Sequence, residues 1–181
     1  MGGVALLRDK RSLNNIMNGE TEDIDKLINR YYDEIYVYCY CHLENKYMVP
    51  DITQDVFLKL FQNLNTYIHV GKLKNYLYVI AKNTIKDYLK KRKEIYVDEI
   101  EKYSTNNIED VDRVIVVQNV VKQLNDQERE LIILRYYQNL RYSDIAKILS
   151  MPVSSVRYNV KQVEKKMKEK MKGLDICEND F

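Results

Sequence analysis

Residues 142–160 read YSDIAKILSMPVSSVRYNV, in which two apolar patterns of three- and four-residue spacing flank a tight connection at 150–153. Ser143 is the predicted N-cap of the first helix. The second helix is predicted from about Ser154 to Lys172, with inward positions at Val156, Val160, Val163 and Met167. Two short helices around a turn are typical of a helix-turn-helix, which inserts one helix into the major groove of DNA.

The second of these helices is strongly basic. From Arg157 to Lys172 it has seven cations against Glu164 and Glu169, a net charge of +5. A basic helix whose apolar stripe faces inward suits the major groove, with its first residues at base edges and its later lysines at phosphates. A lysine-rich terminal helix is also typical of a solvated surface that the helix dipole favours, so charge alone leaves both interpretations open.

Two further helices are predicted before this pair. Apolar residues recur by three and four from Val111 to Leu124, which favours a helix despite the many β-branched residues. Asn125 and Glu128 then form a capping-box pattern at the start of the next helix. The apolar positions of that helix are Leu131, Ile132, Leu134 and Tyr137.

The N-terminal part of the chain has the same helical period in three segments. Thr21 can cap a helix that runs to about Lys46. Pro50 lies in the first turn of a second helix, where proline is tolerated. A loop at 65–74 separates it from a third helical segment that ends near Lys93. The pattern predicts a bundle of three or four helices.

The sign of the charge changes where this bundle ends. Residues Lys86–Lys93 have a net charge of +4, whereas Glu94–Asp112 have a net charge of −6. The acidic segment is also polar, as is typical of a solvated spacer between domains. We therefore predict an all-α fold of two helical domains joined by an acidic linker, with a polar N-terminal leader at 1–18, the first domain at 19–93, the linker at 94–111, the helix-turn-helix domain at 112–173 and a tail at 174–181.

The composition excludes several classes of protein. Hydrophobic residues make up 45% of the 181 residues, with only 5 glycines and 2 prolines, which favours helical cores over a large β architecture. Three cysteines form no disulfide framework and suit a reducing compartment, so the expected location is cytoplasmic. No segment approaches the roughly 18 apolar residues of a membrane span. Lipidation at Gly2 is not expected, because Leu6 stands where the motif needs Ser or Thr.

The sequence contains no recognisable catalytic constellation. It has no glycine-rich phosphate loop, no nucleophile elbow and no paired-histidine metalloprotease motif, so we expect neither enzymatic activity nor a cofactor. Cys39 and His42 share a helix face, but Cys41 points elsewhere and no second ligand pair follows with zinc-like spacing. A buried structural role is favoured over a metal site.

Several stretches of the chain resemble one protein family. Residues 124–136 (LNDQERELIILRY), with 142–146 and 151–157, are similar to the C-terminal domain of the extracytoplasmic-function (ECF) bacterial sigma factors. Residues 49–57 (VPDITQDVF) are similar to the polymerase-docking helix of that family, and 76–89 to its promoter-melting helix. The matches follow the family order and cover roughly four-fifths of the chain.

The resemblance implies a sigma factor that binds core RNA polymerase and directs recognition of the −10 and −35 promoter elements, DNA melting and transcription initiation. Bacterial core polymerase and promoter DNA are the implied partners, and an anti-sigma factor is common in the family. The resemblance implies no membrane insertion and no small-molecule substrate.

In the family, the docking helix binds a coiled coil of the polymerase. Asp51 and Asp55 share a helix face with Gln54 beside them, and Phe57 and Leu58 flank this acidic patch. Carboxylates can form charge-assisted bonds with arginines of the partner. The expected polymerase-binding residues are Asp51, Gln54, Asp55 and Leu58.

The resemblance brings the −10 element to the loop at 67–73 and to the helix that bears Asn83. An unstacked base needs an aromatic or polar pocket with cations nearby. The expected −10 contacts are Tyr67, His69, Lys72, Asn83, Lys86 and Lys90.

For the −35 element, Arg157 is the best candidate for a base-edge contact, because a guanidinium can bond O6 and N7 of guanine together. The family commonly has Ser-Arg after this position, whereas this chain has Tyr158 and Asn159. Either the recognised sequence differs or the downstream lysines compensate. The expected −35 contacts are Arg135, Tyr142, Ser155, Arg157, Tyr158, Lys161 and Gln162, with Arg135 and Tyr142 at the DNA backbone.

Two other classes of function fit parts of the sequence. A free-standing helix-turn-helix regulator with an N-terminal sensing or dimerisation domain would bind duplex DNA as a dimer, without polymerase. A helical adaptor would have no DNA role at all. The docking helix distinguishes them, since a repressor has no use for Asp51, Gln54 and Asp55 in that context.

Overall fold

The computed structural model describes residues 2–64, 72–95 and 123–172. The chain divides into two units, Met1–Asp98 and Glu99–Phe181. Helices are the regular elements of both units, and the described ranges contain no strand. The prediction of an all-α chain with two helical domains is confirmed.

Four helices and a short turn form the first unit. They are α1 (Gly2–Met17), α2 (Glu22–His42), a 3₁₀ turn (Lys46–Met48), α3 (Val49–Gln62) and α4 (Leu73–Ile95). Three acidic residues in the first turn of α2 suit the positive end of its dipole. Pro50 lies in the first turn of α3, as predicted.

The core of the first unit lies among α2, α3 and α4. Tyr38 of α2 and Tyr78 of α4 are fully buried, and their rings meet edge to face with centroids 5.2 Å apart. On α3 the buried positions Ile52, Val56 and Leu60 recur every four residues and face this core. The opposite face of α3 is therefore left to solvent.

A helix occupies the segment that the sequence analysis describes only as a polar leader. Helix α1 packs on α2, and Asp9 is only 2% exposed in this contact. The Asp9 carboxylate accepts hydrogen bonds from Arg30 Nη1 at 2.6 Å and from the Tyr31 hydroxyl at 2.7 Å. Burial, with the Asp9 bonds second, raises the pKa of Tyr31 above its usual range. The pattern of apolar residues does not predict this helix, because a buried carboxylate with hydrogen bonds to α2 is part of what stabilises it.

The ends of α2 also differ from the prediction. Thr21 occupies the N-cap position, but its side chain makes no capping hydrogen bond. Helix α2 ends at His42 and not near Lys46, because Leu43 is extended. Lys46 Nζ instead donates to the carbonyl oxygens of Tyr40, at 2.6 Å, and Leu43, at 2.7 Å. The lysine thus satisfies carbonyl groups at the C-terminal end of α2.

The second unit contains α5 (Asp126–Ile132), a π-helical turn (Ile133–Tyr137), α6 (Tyr142–Leu149) and α7 (Val153–Lys172). The predicted capping box is confirmed. Glu128 N donates to Asn125 Oδ1 at 2.9 Å, and Asn125 N donates to Glu128 Oε2 at 3.0 Å. The predicted helix from Val111, most of the linker at 94–111 and the tail at 174–181 lie outside the described residues.

Helices α6 and α7 form the predicted helix-turn-helix, but Ser143 does not cap α6. The N-cap lies two residues earlier, at Arg141 in an extended conformation, and the helix begins at Tyr142. At the other end, Ser150 is left-handed, with φ of 54°, and Met151 N donates to Ala146 O at 2.9 Å. This close turn delivers the chain into α7, whose four predicted inward residues are all buried.

An ion pair joins the start of α5 to the middle of α7. Lys166 Nζ donates to both carboxylate oxygens of Glu128, at 2.7 and 2.9 Å. The Lys166 ammonium holds the pKa of Glu128 below its usual range, and the capping bond from Asn125 contributes to this shift. Leu124, just before α5, and Ile132 of α5 form an apolar cluster with Val163 and Met167 of α7.

Replacing the buried carboxylate of α1 should destabilise the first unit. Asp9→Ala leaves the Tyr31 hydroxyl and the partly buried Arg30 guanidinium without their acceptor, so we expect a loss of about 2–3 kcal/mol in the free energy of unfolding. Urea unfolding followed by circular dichroism measures this change. Lys10→Ala, at the exposed neighbouring position on α1, should be nearly neutral. Equal urea midpoints for the two variants would contradict the role assigned to Asp9.

The Glu128–Lys166 pair should make the second unit acid-sensitive. Because the pKa of Glu128 is lower in the folded chain than its ordinary value of 4.5, the pair stabilises the fold above about pH 4.5. That contribution is lost as the pH falls through the lowered pKa. We expect the α5 amides of the unmodified chain to be better protected from hydrogen exchange than those of Glu128→Gln at pH 6. This difference in protection should shrink between pH 4.5 and pH 3. Glu169→Gln serves as the control, because Glu169 forms a solvent-exposed ion pair with Lys165 on the same helix, α7.

Candidate functional site

The candidate −35 contacts of α7 lie on the side of the helix opposite its buried valines. Arg157, Tyr158, Lys161 and Gln162 are exposed, and Ser155 is half-buried. Because Val156 and Val160 are fully buried, the rotation of α7 about its axis is fixed and its basic face is directed away from the core.

Three predicted contact residues from different elements come together beside this face. The Arg135 guanidinium lies 4.7 Å from the centre of the Tyr142 ring, and that of Arg157 lies 5.8 Å from it. Arg135 Nη1 also donates to Leu140 O at 3.0 Å. Cation–π contacts of this kind contribute about 0.5–1 kcal/mol at exposed sites. Tyr142 therefore lies close to both guanidinium groups, and Arg157 remains exposed to solvent.

Arg135 lies in the π-helical turn Ile133–Tyr137. Gln138 N donates to Ile133 O at 3.0 Å, a five-residue span that widens the end of the helix. Leu134 stays buried within the turn, whereas Tyr136 and Tyr137 face solvent. The apolar spacing predicts a helix with an inward apolar position at Tyr137. This part of the prediction is wrong, because Tyr137 is exposed at the end of a π-helical turn.

Tyr136 is a further residue of this region that the sequence analysis missed. Its hydroxyl donates to Glu164 Oε1 of α7 at 2.5 Å. Partial burial, with this hydrogen bond second, raises the pKa of Tyr136 to about 12. Glu164 is one of two acids on the basic helix, and this contact holds its carboxylate at the π-helical turn. No local pattern pairs residues 28 positions apart, so the sequence carries no signal for the contact.

On α4, the candidate −10 contacts share one face. Asn83, Lys86 and Lys90 are exposed and follow one another at three and four residues, and Lys72 is exposed just before the helix begins. Tyr67 and His69, the other two candidates, lie outside the described residues. The described part of the site is thus a polar, cationic stripe along α4.

The four candidate docking residues, Asp51, Gln54, Asp55 and Leu58, are all exposed on α3, and we call this set the docking face. Leu58 is 54% exposed, which is high for a leucine. Phe57, expected to flank the patch, is instead buried and stacks on Tyr32 with centroids 6.3 Å apart. The docking face is therefore two carboxylates, an amide and one apolar side chain.

The cysteine and histidine pattern on α2 has a structural explanation. Cys39 is fully buried, and burial raises the pKa of its thiol to about 11. His42 Nδ1 lies 2.8 Å from Tyr38 O, and the two rings are in contact. Within 2–64, 72–95 and 123–172, no three His, Cys, Asp or Glu side chains are grouped as metal ligands.

Comparison with known families gives two matches on this chain. The model of sigma-70 region 2 matches residues 27–95, and that of sigma-70 region 4 matches residues 115–167. The first match contains the docking face and α4, and the second contains α6 and most of α7. Together they cover about two thirds of the chain.

Characterised relatives match nearly the whole chain. The ECF RNA polymerase sigma factor SigW of Bacillus subtilis is 23% identical over 182 residues, covering 91% of this chain and 97% of its own. The ECF RNA polymerase sigma-E factor of Haemophilus influenzae is 24% identical, with 93% and 97% covered.

Solved structures share the fold. CnrH, solved with the cytosolic domain of CnrY, has a TM-score of 0.70 at 16% identity and covers 95% of this chain and 99% of its own. The sigma factor RpoE from Bartonella quintana, solved with the anti-sigma factor NepR, has a TM-score of 0.69 at 18% identity, with 83% and 98% covered.

The chain therefore belongs to the sigma-70 family, among its ECF sigma factors. It is a promoter-specific initiation factor that acts with RNA polymerase, and the alternative of a free-standing dimeric regulator is not favoured. None of the described helices combines the length and the apolar character that a membrane span requires.

Proposed function

We propose that this sigma factor binds core polymerase through the docking face of α3, holds the −10 element along α4 and reads the −35 element with α7. One observation supports all three assignments. Every assigned residue that the structure describes is exposed or half-buried, while other positions of the same helices form the core. Each surface can therefore meet a partner without unfolding.

The docking face suits a basic protein surface. Asp51 and Asp55 offer four carboxylate oxygens within about one helical turn, and Gln54 adds an amide between them. Arginines of a partner can bond such oxygens in pairs, with shorter and stronger hydrogen bonds than neutral groups make. Leu58 adds apolar area one turn further along α3.

At the −35 element, Arg157 is the proposed base-reading residue and Arg135 and Tyr142 are the proposed backbone contacts. The Arg157 guanidinium lies 5.8 Å from the centre of the Tyr142 ring, so the proposed base-reading and backbone-contact residues are neighbours on one surface. Tyr158 and Asn159 carry no charge for contacting phosphates. Lys161 and the later lysines of α7 supply that positive charge instead. Ser155, Tyr158 and Gln162 complete the proposed contact set.

At the −10 element, Asn83 is the proposed polar contact to an unstacked base, and Lys72, Lys86 and Lys90 are the proposed phosphate contacts. Tyr67 and His69 complete this proposed set. The acidic segment at 94–111 follows the cations of α4 directly and has the same sign of charge as DNA. Its repulsion of phosphates should weaken binding of duplex DNA to those cations in the absence of polymerase.

The remaining assignments complete the proposal. We propose that the protein acts in the cytoplasm, where its polymerase and promoter partners are found. Its contribution is recognition and binding, with the chemistry of RNA synthesis left to the polymerase. An anti-sigma factor, the partner of the Bartonella quintana relative, is a proposed third partner.

The direct test combines the purified chain with bacterial core polymerase and a library of promoter-like duplexes. Association with core polymerase and selective melting of a subset of duplexes is the expected result. Specific binding of duplex by a dimer of the chain, with no association with core, would contradict the proposal.

Reversing one charge of the docking face should weaken polymerase binding. Asp55→Arg opposes a cationic partner surface, and we expect at least a tenfold higher Kd, equivalent to about 1.4 kcal/mol. Stability should change little, because Asp55 is exposed. Titration of core polymerase with labelled protein measures the effect. Asp33→Arg, an exposed position on α2, is the matched control, and an unchanged affinity for Asp55→Arg would exclude the docking face.

Removing the Arg157 side chain should relax promoter selectivity at one position. Arg157→Ala loses a bidentate contact to guanine, at an expected cost of about 1–3 kcal/mol for the preferred base there. Open-complex formation on promoters that vary across the −35 element measures this. Lys161→Ala should instead weaken all sequences alike and lower the salt dependence. If Arg157→Ala also weakens every sequence equally, Arg157 is a phosphate contact.

A further inference from the structure

An aromatic residue precedes the docking face along the same helical path. The 3₁₀ turn Lys46–Met48 passes directly into α3, with Val49 N bonded to Lys46 O and a helical backbone at Met48 and Val49. Tyr47 stands four positions before Asp51, which is about one turn. Tyr47 therefore lies about one turn before Asp51 along the path of the chain, next to the N-terminal end of the docking face.

Tyr47 is unusually accessible for a tyrosine. It is 92% exposed, the highest value among the exposed large apolar residues of the described ranges. Tyrosine rings usually bury most of their area and leave only the hydroxyl in water. Nearby tyrosines of the same unit follow that rule, since Tyr31, Tyr38 and Tyr78 are buried.

The backbone around Tyr47 is fixed from both sides. Tyr47 N donates to Asn45 Oδ1 at 3.1 Å, which caps the turn. Lys46 Nζ bonds two carbonyl oxygens at the end of α2 and lies 4.0 Å from the centre of the Tyr40 ring. The turn thus presents the ring from a defined position, and a fixed backbone reduces the entropy lost on binding.

We propose that Tyr47 is an aromatic anchor for core RNA polymerase, contacting an arginine-bearing surface that also pairs with Asp51. This inference rests on the proposed docking function of α3. A guanidinium can stack on a tyrosine ring while its edge bonds a carboxylate, and Asp51 is the carboxylate one turn away. Tyrosine is enriched among the few residues that dominate the affinity of protein interfaces.

The test measures binding of the full-length chain to core polymerase. Tyr47→Ala should raise the Kd about 10- to 30-fold, the range of a strong interface residue. Tyr47→Phe keeps the ring and should stay within about threefold of the unmodified chain. Leu7→Ala removes another exposed apolar side chain of the same unit, 70% exposed, and should have no effect. Thermal unfolding of each variant checks that folding is intact.

Asp55→Arg, measured in the same titration, separates the two proposals. Loss of binding for Asp55→Arg with no change for Tyr47→Ala would overturn the anchor and leave the docking face standing. No change for either variant would overturn both. An equal loss for Tyr47→Ala and Leu7→Ala would also overturn the anchor.

A photo-crosslinking residue gives a second measurement that does not depend on affinity. p-Benzoylphenylalanine placed at position 47 should crosslink to core polymerase as efficiently as the same residue placed at position 58 of the docking face. Crosslinking from position 58 alone would contradict contact at Tyr47. This measurement tests the proposal even if Tyr47→Ala fails to fold.

Discussion

Burial of one face of each helix decides which side chains a partner can reach. On α3, the buried Val56 precedes the buried Phe57, and Asp55 and Leu58 on either side are left exposed. On α7, burial of Val156 leaves Arg157 on the outside. A rotation of either helix by about 100°, one residue of α-helix, would move a charged side chain into the core, which is strongly unfavourable. The contact surfaces are therefore by-products of core packing.

Polar contacts fix what apolar packing leaves free. Asp9 links α1 to α2 through Arg30 and Tyr31, and Glu128 links α5 to α7 through Lys166. Apolar contacts are not directional, whereas these bonds have defined partners and geometry. In the second unit, the pair also belongs to the capping box, so one carboxylate both starts α5 and joins it to α7.

Opposite charges occupy separate surfaces, each suited to its own partner. The docking face has two carboxylates, while the exposed stripes of α4 and α7 are cationic. A net charge of +2 conceals this division, because 29 cations and 27 anions nearly cancel. Such segregation suits the proposed partners, with a basic protein surface at the docking face and DNA at the cationic stripes. Tyr47 adds an apolar, aromatic element at the edge of the acidic surface, where charge alone would give little affinity.

The local sequence pattern by itself determined most helices, the capping box of α5, the inward residues of α7 and the exposure of the docking face. Helical periodicity and caps depend on residues within four positions of each other, so a single sequence carries them. Only the tertiary structure decided the rest. Asp9 of α1 bonds residues 21 and 22 positions away, and Tyr142 lies near guanidinium groups from two other elements. These features arise from contacts between segments distant in the chain, and no local sequence pattern encodes such contacts.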